Sequence, residues 1–171
     1  MIDFKILREE VSTSSFRCES KPLEDYIKYH ALNNQRLRIA KCVVALKGND
    51  LVGYYTTSNH MMEKESLARS DTRGLPGYPI PTLLLGKLAV HKEHLRQGIG
   101  SQLLRHLFLS IVDHANKSLV GGFRFVVLDT KEAIEGADQL DLKYGFKYLP
   151  APNNTMMYIK TTKIIKAARS G

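Results

Sequence analysis

The feature of this sequence that most constrains its fold is a buried strand, a glycine-containing turn and a long amphipathic helix in direct succession. Residues 82–90 read TLLLGKLAV, and a nearly continuous apolar run of this kind predicts a strand that is buried on both faces of a sheet. The turn HKEHLRQGIG follows at 91–100. From residue 99 to 116, apolar side chains recur at the spacing of one helix face. These side chains are Ile99, Leu103, Leu104, Leu107, Phe108, Ile111 and Val112.

A second apolar run completes a strand–helix–strand unit. Residues 123–128 read FRFVVL, which predicts another buried strand. The unit from 82 to 128 is therefore expected to be a right-handed βαβ crossover. Gly86, inside the first strand, predicts a β-bulge or a close backbone approach at that point.

Further helices and strands are predicted on both sides of this unit. Upstream, apolar residues at helical spacing behind Pro22 predict a helix over 22–35. Strand segments at 42–46 and 51–57, joined by Gly48, Asn49 and Asp50, predict a hairpin. The remaining predicted elements are a loop over 66–81, a helix over 132–143, and short strands at 146–149 and 156–159 around a turn at 151–154. The expected fold class is α/β, with a mixed central β-sheet flanked by helices on both faces.

Length and composition are those of one globular domain. The chain has 171 residues, of which 43% are hydrophobic and 25% charged, which excludes wholesale disorder. We expect a single domain over 1–160 and a basic C-terminal tail over 161–171. Cys18 and Cys42 are too few for a disulfide framework and lack metal-site spacing, so no metal is expected. A membrane-length apolar stretch and a signal segment are both absent, so we expect a cytoplasmic location without a membrane partner.

The net charge of the chain favours an anionic partner. Lysine and arginine number 25 against 17 aspartates and glutamates, which gives +8 at pH 7. A basic protein attracts polyanions such as nucleic acid, anionic lipid or a phosphate-rich ligand. Simple solubility explains the same sign equally well, so charge alone does not select a partner.

The turn at 95–101 is the strongest candidate for a ligand site. Its two glycines let the backbone bend with its N–H groups available, and the N-terminus of the next helix adds partial positive charge, so the turn suits a phosphate group. Arg96 adds a fixed charge and Ser101 a hydroxyl donor. The dinucleotide motif GxGxxG is absent because Leu103 stands at its third glycine, and GxxxxGK[ST] is absent too. A plain structural connection is the alternative.

The segment PIPTLLLGKLAVHKEHLRQGIGSQLL at 79–104 resembles the acetyl-CoA-binding segment of the GNAT superfamily of N-acetyltransferases. That family follows a strand with a [QR]xxGx[GA] turn and a helix. Gly98 and Gly100 match the two glycines, whereas Leu95 stands where Gln or Arg is expected. The segment LDLKYGF at 140–146 resembles the FYxKxGF segment of the same family. The resemblance implies the GNAT fold and acetyl-CoA as cosubstrate.

The resemblance assigns acetyl-CoA to two stretches of main chain. Residues expected to offer backbone groups to the pantetheine arm are Leu88, Ala89 and Val90. Residues expected to cradle the pyrophosphate are Leu95, Arg96, Gln97, Gly98, Ile99, Gly100 and Ser101. Both roles depend mostly on main-chain geometry, so Leu95 weakens the match to the family motif without removing it. Arg96, the next residue, is a candidate to supply the charge that the motif's Gln or Arg position would carry.

Three further segments resemble the GNAT toxins of type II toxin–antitoxin systems. They are FRCESKPLEDYIKYHALNNQ at 16–35, LVGYYTTS at 51–58 and YPIPTLLLGKLAV at 78–90. Those toxins are similar in length and acetylate the α-amino group of aminoacyl-tRNA. The resemblance therefore implies an acetyl-CoA-dependent N-acetyltransferase with an aminoacyl-tRNA acceptor. It also implies a ribbon-helix-helix antitoxin as partner and a homodimer as a candidate assembly.

The general acid is where the sequence departs from these toxins. In them a tyrosine, the second residue of FYxKxGF, protonates the departing thiolate, whereas Asp141 occupies that position here. An ordinary aspartate is ionised at neutral pH and is a poor acid. Tyr144, about one helical turn further along, is the alternative acid. Departure of the thiolate without help, and loss of activity, stay open as well.

Two other functions remain open at this stage. One is a catalytically impaired module that binds CoA or nucleic acid, and the other is an acetyltransferase of small amines or protein N-termini. Either Tyr54 or Tyr55 is a candidate to face the acceptor site, with the other packed inward. Basic residues that are candidates to contact phosphate or RNA, with simple solvation as the alternative, are Lys87, Arg69 and Arg73.

Overall fold

A computed structural model describes residues 1–130, 142–150 and 155–169. Its strands are β1 (Asp3–Ile6), β2 (Lys41–Lys47), β3 (Asp50–Met62), β4 (Ile80–Val90), β5 (Phe125–Asp129), β6 (Lys147–Tyr148) and β7 (Met156–Lys160). They form a seven-stranded sheet in the order β1-β2-β3-β4-β5-β7-β6. The pairs β1–β2, β2–β3, β5–β7 and β6–β7 are antiparallel. The prediction of an α/β fold around a mixed sheet is confirmed.

Helices account for about half of the remaining described residues. They are α1 (Lys21–Asp25), a π-helical turn (Tyr26–His30), α2 (Ala31–Arg36), α3 (Arg69–Thr72), α4 (Ile99–Lys117) and a C-terminal helix (Thr161–Arg169). Single 3₁₀ turns lie at Lys64–Ser66 and Lys92–His94. The predicted helix over 22–35 and the long helix from residue 99 are therefore confirmed, because their apolar faces recur at the helical period.

The chain divides into two compact units. The first comprises Met1–Ser58 and Leu85–Leu107, and the second comprises Asn59–Leu84 and Phe108–Gly171. The boundaries between them fall inside β3, β4 and α4.

The first unit is built on the predicted hairpin and the helical segment before it. Ser20 caps α1, since its hydroxyl accepts a hydrogen bond from the Leu23 amide. Leu23, Ile27 and Ala31 lie four residues apart and are all buried. The hydroxyl of Tyr54 donates to the carbonyl oxygen of Leu23 at 2.6 Å. This bond ties α1 to β3, so the hairpin and the helical segment share one core.

The second unit has its own apolar core around β5 and β7. Phe125 and Tyr158 face each other edge to face, with ring centroids 5.6 Å apart. Further buried members of this core are Met62, Leu67, Ile80, Val127 and Leu149. The predicted short strands at 146–149 and 156–159 are confirmed as β6 and β7. The predicted turn at 151–154, and most of the predicted helix over 132–143, lie outside the described residues.

Burial in β4 differs from the sequence-based prediction. Only Ile80, Thr82, Leu85 and Ala89 are buried in this strand, and most of its other apolar side chains are partly covered. The prediction of burial on both faces is therefore wrong. An apolar run shows only that a strand tolerates burial, whereas the elements packed beside the strand decide how much of its surface is covered. The buried positions change from even to odd numbers between Thr82 and Leu85, as expected for a bulge near Gly86.

Three elements were not predicted from the sequence. β1 is a four-residue strand with little apolar pattern, α3 interrupts the predicted loop over 66–81, and the basic tail contains the C-terminal helix. That helix buries Thr161 and Ile164 against the second unit while its lysines stay exposed. Among the described residues, no helix is long and apolar enough to span a membrane.

Candidate functional site

The end of β4 and the start of α4 approach each other closely in the first unit. Gly53 on β3 lies between them, and a Cβ at this position would be 3.0 Å from the Ala89 carbonyl oxygen and 3.0 Å from Leu103 Cδ1. It would also lie 3.2 Å from Ile99 Cγ2. Such distances are tighter than ordinary Cβ contacts, so glycine lets the first turn of α4 rest against the sheet here without displacing its neighbours.

The turn between β4 and α4 is fixed at its beginning by two backbone hydrogen bonds. The amide of His91 donates to the Val52 carbonyl at 2.9 Å, and the amide of Lys92 donates to the Arg17 carbonyl at 2.8 Å. The His91 ring packs edge-on against Phe16, with centroids 5.5 Å apart. The turn therefore leaves the sheet in one defined direction.

Two residues of the turn adopt left-handed backbone conformations. Arg96 has φ +60° and Gly98 has φ +75°. Within the part of the chain that the structure describes, the amides of residues 95–98 donate no well-formed hydrogen bond to another backbone group. The amides of Ile99 and Gly100 lie in the first turn of α4, where a helix offers no internal acceptor. The bend thus collects backbone donors at a helix N-terminus, the arrangement that binds phosphate oxygens.

The side chains of the predicted pyrophosphate residues play different parts. Arg96 is exposed, so its guanidinium reaches solvent beside the bend. Gln97 uses its side chain inside the turn, where Nε2 donates to the Glu93 carbonyl at 3.0 Å. Ile99 is buried and packs into the core. Ile99 therefore offers a ligand only its backbone amide, while Arg96 also offers charge.

The predicted pantetheine residues lie at the C-terminal end of β4. Ala89 is buried, whereas Leu88 and Val90 are partly open. Together with residues 95–101, these three residues form one continuous stretch of strand, bend and helix start within the first unit. The assignment of these residues to acetyl-CoA stays a prediction.

Tyr144, the alternative acid, lies in the second unit on a turn before β6. Its half-buried ring packs edge to face on Phe108, with centroids 5.8 Å apart at 80°. The amide of Gly145 donates to the Leu142 carbonyl at 2.9 Å, which closes the turn. The phenol ring therefore has a defined position. Asp141, the other candidate acid, lies outside the described residues.

Sequence reasoning missed a polar cluster in the second unit. The Tyr158 hydroxyl donates to Oδ2 of the buried Asp71 at 2.7 Å, and Lys160 Nζ lies 2.8 Å from Oδ1. Lys147 forms a second ion pair with Oδ2. Burial alone would raise the pKa of Asp71, but the hydrogen bonds from these three side chains outweigh it and hold this pKa well below its ordinary value. The members of this polar cluster are too far apart in sequence for any local pattern to reveal them.

Other candidates from the sequence have structural roles. Tyr54 and Tyr55 are both buried, so neither presents an open face. The Tyr55 hydroxyl lies 2.9 Å from Nδ1 of His106, whose pKa is lowered by burial. Lys87 Nζ lies 4.7 Å above the ring of Tyr26. Among the described residues, no group of three or more side chains is suited to hold a metal ion.

Comparison with known proteins gives a family match over this region. The family model described as "Acetyltransferase (GNAT) domain" matches residues 38–148. A curated relative, the tRNA-acetylating toxin of Mycobacterium tuberculosis (strain ATCC 25618 / H37Rv), is 30% identical over 92 residues. That match covers 54% of this chain and 55% of the relative, so the chain spans about half the length of the curated relative it matches.

Several solved structures share the fold over nearly the whole chain. A tyrosine-to-phenylalanine mutant of KacT is 23% identical with a TM-score of 0.86, covering 97% of this chain and 98% of that one. AtaT complexed with acetyl-methionyl-tRNAfMet is 21% identical with a TM-score of 0.85, covering 98% and 99%. AtaTR bound with acetyl-CoA is 20% identical with a TM-score of 0.79, covering 98% of each. At these identities the likeness establishes the fold.

Proposed function

This chain belongs to the GNAT family of acetyltransferases, and from that membership we propose that it transfers an acetyl group from acetyl-CoA to the α-amino group of an aminoacyl-tRNA. The observation that carries the proposal is the bend after β4, where Arg96 and Gly98 adopt left-handed backbone conformations just before α4 begins. A diphosphate needs several donors close together, and we propose that the backbone amides of this bend supply them.

Acetyl-CoA fits the stretch from β4 to α4. The amides of residues 95–98, with those of Ile99 and Gly100, are the donors for the pyrophosphate, and the exposed Arg96 guanidinium adds a charge. The Ser101 hydroxyl is one further donor. The main chain of Leu88, Ala89 and Val90 binds the pantetheine arm. In this proposal the cofactor runs from the bend along the C-terminal end of β4.

The chemical step requires one bond to form and one to break. The free amine attacks the thioester carbonyl, so a nitrogen–carbon bond forms while the carbon–sulfur bond breaks. A backbone N–H of β4 is the donor for the negative charge that develops on the carbonyl oxygen. Tyr144 gives its phenolic proton to the departing thiolate, and the nitrogen releases one proton, so the net transfer is one proton from nitrogen to sulfur.

The assignment of the acceptor is supported by charge and by the relatives. The chain carries a net charge of +8, which favours a polyanion such as tRNA. The curated relative is named a tRNA-acetylating toxin, and a structure of similar fold is AtaT with acetyl-methionyl-tRNAfMet. A phosphate-rich acceptor is thus consistent with the composition of this chain as well as with its relatives.

Radiolabelled acetyl transfer tests the proposal. Purified protein is incubated with labelled acetyl-CoA and a mixture of aminoacyl-tRNAs, with deacylated tRNA and a small primary amine as controls. We expect label on aminoacyl-tRNA only, and a steep fall in rate between low and physiological salt. Label on the small amine with no salt dependence would instead favour the small-amine acetyltransferase. Tight acetyl-CoA binding without transfer to any acceptor would favour the impaired module.

The same proposal includes a partner and a cellular context. Solved structures of similar fold include the AtaT–AtaR complex bound to DNA and a KacTA–DNA complex. We propose that a small ribbon-helix-helix antitoxin neutralises this chain, that the chain forms a homodimer, and that it acts in the cytoplasm. The division into a domain over 1–160 and a basic tail over 161–171 stays a prediction. Co-expression with the product of a short neighbouring gene, followed by size-exclusion chromatography, tests the partner and the assembly.

A further inference from the structure

Asp71 holds two lysines whose outer surfaces reach solvent. Only 7% of the Asp71 side chain is exposed, whereas Lys147 is 51% exposed and Lys160 is 32% exposed. One negative charge is therefore enclosed, and two positive charges lie over it. A single lysine would already neutralise the carboxylate, so the second leaves a surplus positive charge at this point on the surface.

Further cations lie near Asp71 along the chain and near the Tyr144 turn in space. Arg69 lies two residues before Asp71 and Arg73 lies two residues after it, and both arginines are exposed. On the C-terminal helix, the exposed Lys163 places Nζ 3.5 Å from the Gly145 carbonyl oxygen. The turn that carries Tyr144 is thus bordered by lysines of the second unit.

The distance between the cluster and the proposed acid is short. Lys147 follows Tyr144 by three residues, and three residues of extended chain span at most about 11 Å. That length is comparable to a few nucleotides of single-stranded RNA. An RNA whose aminoacyl end reaches the Tyr144 ring therefore has its nearest phosphates within range of these lysines.

We infer that Asp71 holds Lys147 and Lys160 as a pre-organised pair of cations that binds the phosphate backbone of the RNA acceptor. The inference rests on the proposed function, since it names the part of the chain that receives the acceptor. Asp71 is a positioning residue in this scheme, and the lysines are the contacts.

The physical advantage of the carboxylate is that it orders the lysines before RNA arrives. Immobilising a free lysine side chain costs up to about 2 kcal/mol of rotamer entropy. Lysines that are already held lose less of this entropy on binding, so each phosphate contact contributes more to affinity. The Tyr158 hydroxyl fixes the carboxylate itself, at 2.7 Å from Oδ2.

A purely structural role for the cluster predicts a different outcome. If Asp71 only anchors α3 to β6 and β7, then removing the two lysine charges changes the stability of the protein. RNA affinity then falls no more than it does on the loss of any other exposed lysine. If only the overall charge attracts RNA, removal of the Asp71 charge makes binding tighter. Under our inference the same removal makes binding weaker, although the protein becomes more positive.

Binding of deacylated tRNA, measured by fluorescence anisotropy with the full chain, tests the inference. The variants are Asp71→Asn and the double variant Lys147→Gln with Lys160→Gln, and the control is Lys5→Gln, an exposed lysine of β1. We expect the double variant to weaken binding about tenfold or more and to reduce the salt slope by roughly 0.7–0.9 for each lost contact. The control changes affinity less than about twofold.

Asp71→Asn is expected to weaken tRNA binding several-fold, although the loss of a carboxylate makes the net charge of the protein more positive. Equal or tighter binding by this variant, or a double variant that behaves like Lys5→Gln, overturns the inference. Lys147→Gln alone changes an exposed side chain and leaves Asp71 paired with Lys160, so this single variant carries the test where the other variants are too unstable to measure.

Acetylation assays on the same variants separate this inference from the proposed function. If aminoacyl-tRNA is acetylated equally well without the charges of Lys147 and Lys160, the inferred RNA contact is refuted and the proposed acetyltransferase function is not. Lysine-dependent tRNA binding without acetylation of any aminoacyl-tRNA would refute the function and support the RNA surface. A wild-type chain that neither binds nor acetylates tRNA refutes both.

Discussion

A Cβ atom on Gly53 would lie 3.0 Å from the carbonyl oxygen of Ala89. The contact is with backbone, which cannot move aside as the end of a long side chain can. Gly53 therefore sets how closely β3, the end of β4 and the start of α4 approach one another in the first unit, and the bend proposed to bind phosphate begins where they meet.

Gly53→Ala is expected to destabilise the protein by about 1–3 kcal/mol, because the added methyl group overpacks a closed region. Thermal unfolding followed by circular dichroism measures the loss. Gly77→Ala is the matched control, since a Cβ at that position meets nothing within 4 Å. Equal melting temperatures for the two variants would show that the strands and α4 have room to separate.

Arg96→Asn is expected to weaken acetyl-CoA binding about tenfold while leaving the melting temperature unchanged or slightly raised. Arginine at φ +60° is disfavoured by about 1 kcal/mol, whereas asparagine adopts this conformation more readily. The variant thus keeps the bend and removes the charge. Isothermal titration with acetyl-CoA measures the affinity, and Arg8→Asn, at another exposed arginine, controls for the loss of net charge. The assignment of Arg96 to the pyrophosphate fails if both variants bind alike.

Tyr144→Phe is expected to lower kcat about 100-fold or more, with little change in acetyl-CoA affinity. The phenylalanine ring retains the edge-to-face packing on Phe108, so the melting temperature should stay within a few degrees. Steady-state release of free thiol measures the rate. Tyr148→Phe on β6 is the control for loss of a phenol in the same region. An unchanged kcat would mean that the thiolate leaves unaided or that Asp141 supplies the proton.

Asp71→Asn is expected to cost about 1–3 kcal/mol of unfolding free energy at neutral pH, since it removes the charge that two lysines share. The pKa of Asp71 is depressed in the folded protein, so its contribution is fully present above the ordinary carboxyl pKa of about 4. The contribution is lost progressively as the pH falls below that value, because the Asp71 carboxyl of the unfolded chain then takes up a proton before that of the folded chain does. Urea unfolding of wild type and variant from pH 7 to pH 3 should therefore show the difference in stability shrinking toward acid. A difference that stays constant would mean that the lysines do not stabilise the charged form.

Much of the first unit could be predicted from the sequence, because its signals are local. The apolar face of α4 recurs over about four turns. The hairpin is marked by Gly48 and its neighbours, and the bend follows directly from the order of strand, glycines and helix. Backbone conformation in such stretches is governed by residues only a few positions apart. The donors proposed for a diphosphate are main-chain groups of the same short stretch, so the sequence could point to them, and their role stays a prediction.

The tertiary structure alone decided which polar side chains act together. Tyr158 and Asp71 are 87 positions apart in the chain, yet a hydrogen bond joins them. Burial of both Tyr54 and Tyr55, and the packing of Tyr144 on Phe108, likewise depend on partners that no spacing rule connects. Periodicity reports the period of one element, whereas such contacts form only when distant elements are brought together. The sequence by itself thus determined most of the helices and strands and the place of the glycine-containing bend, and the folded chain decided how its charges are paired.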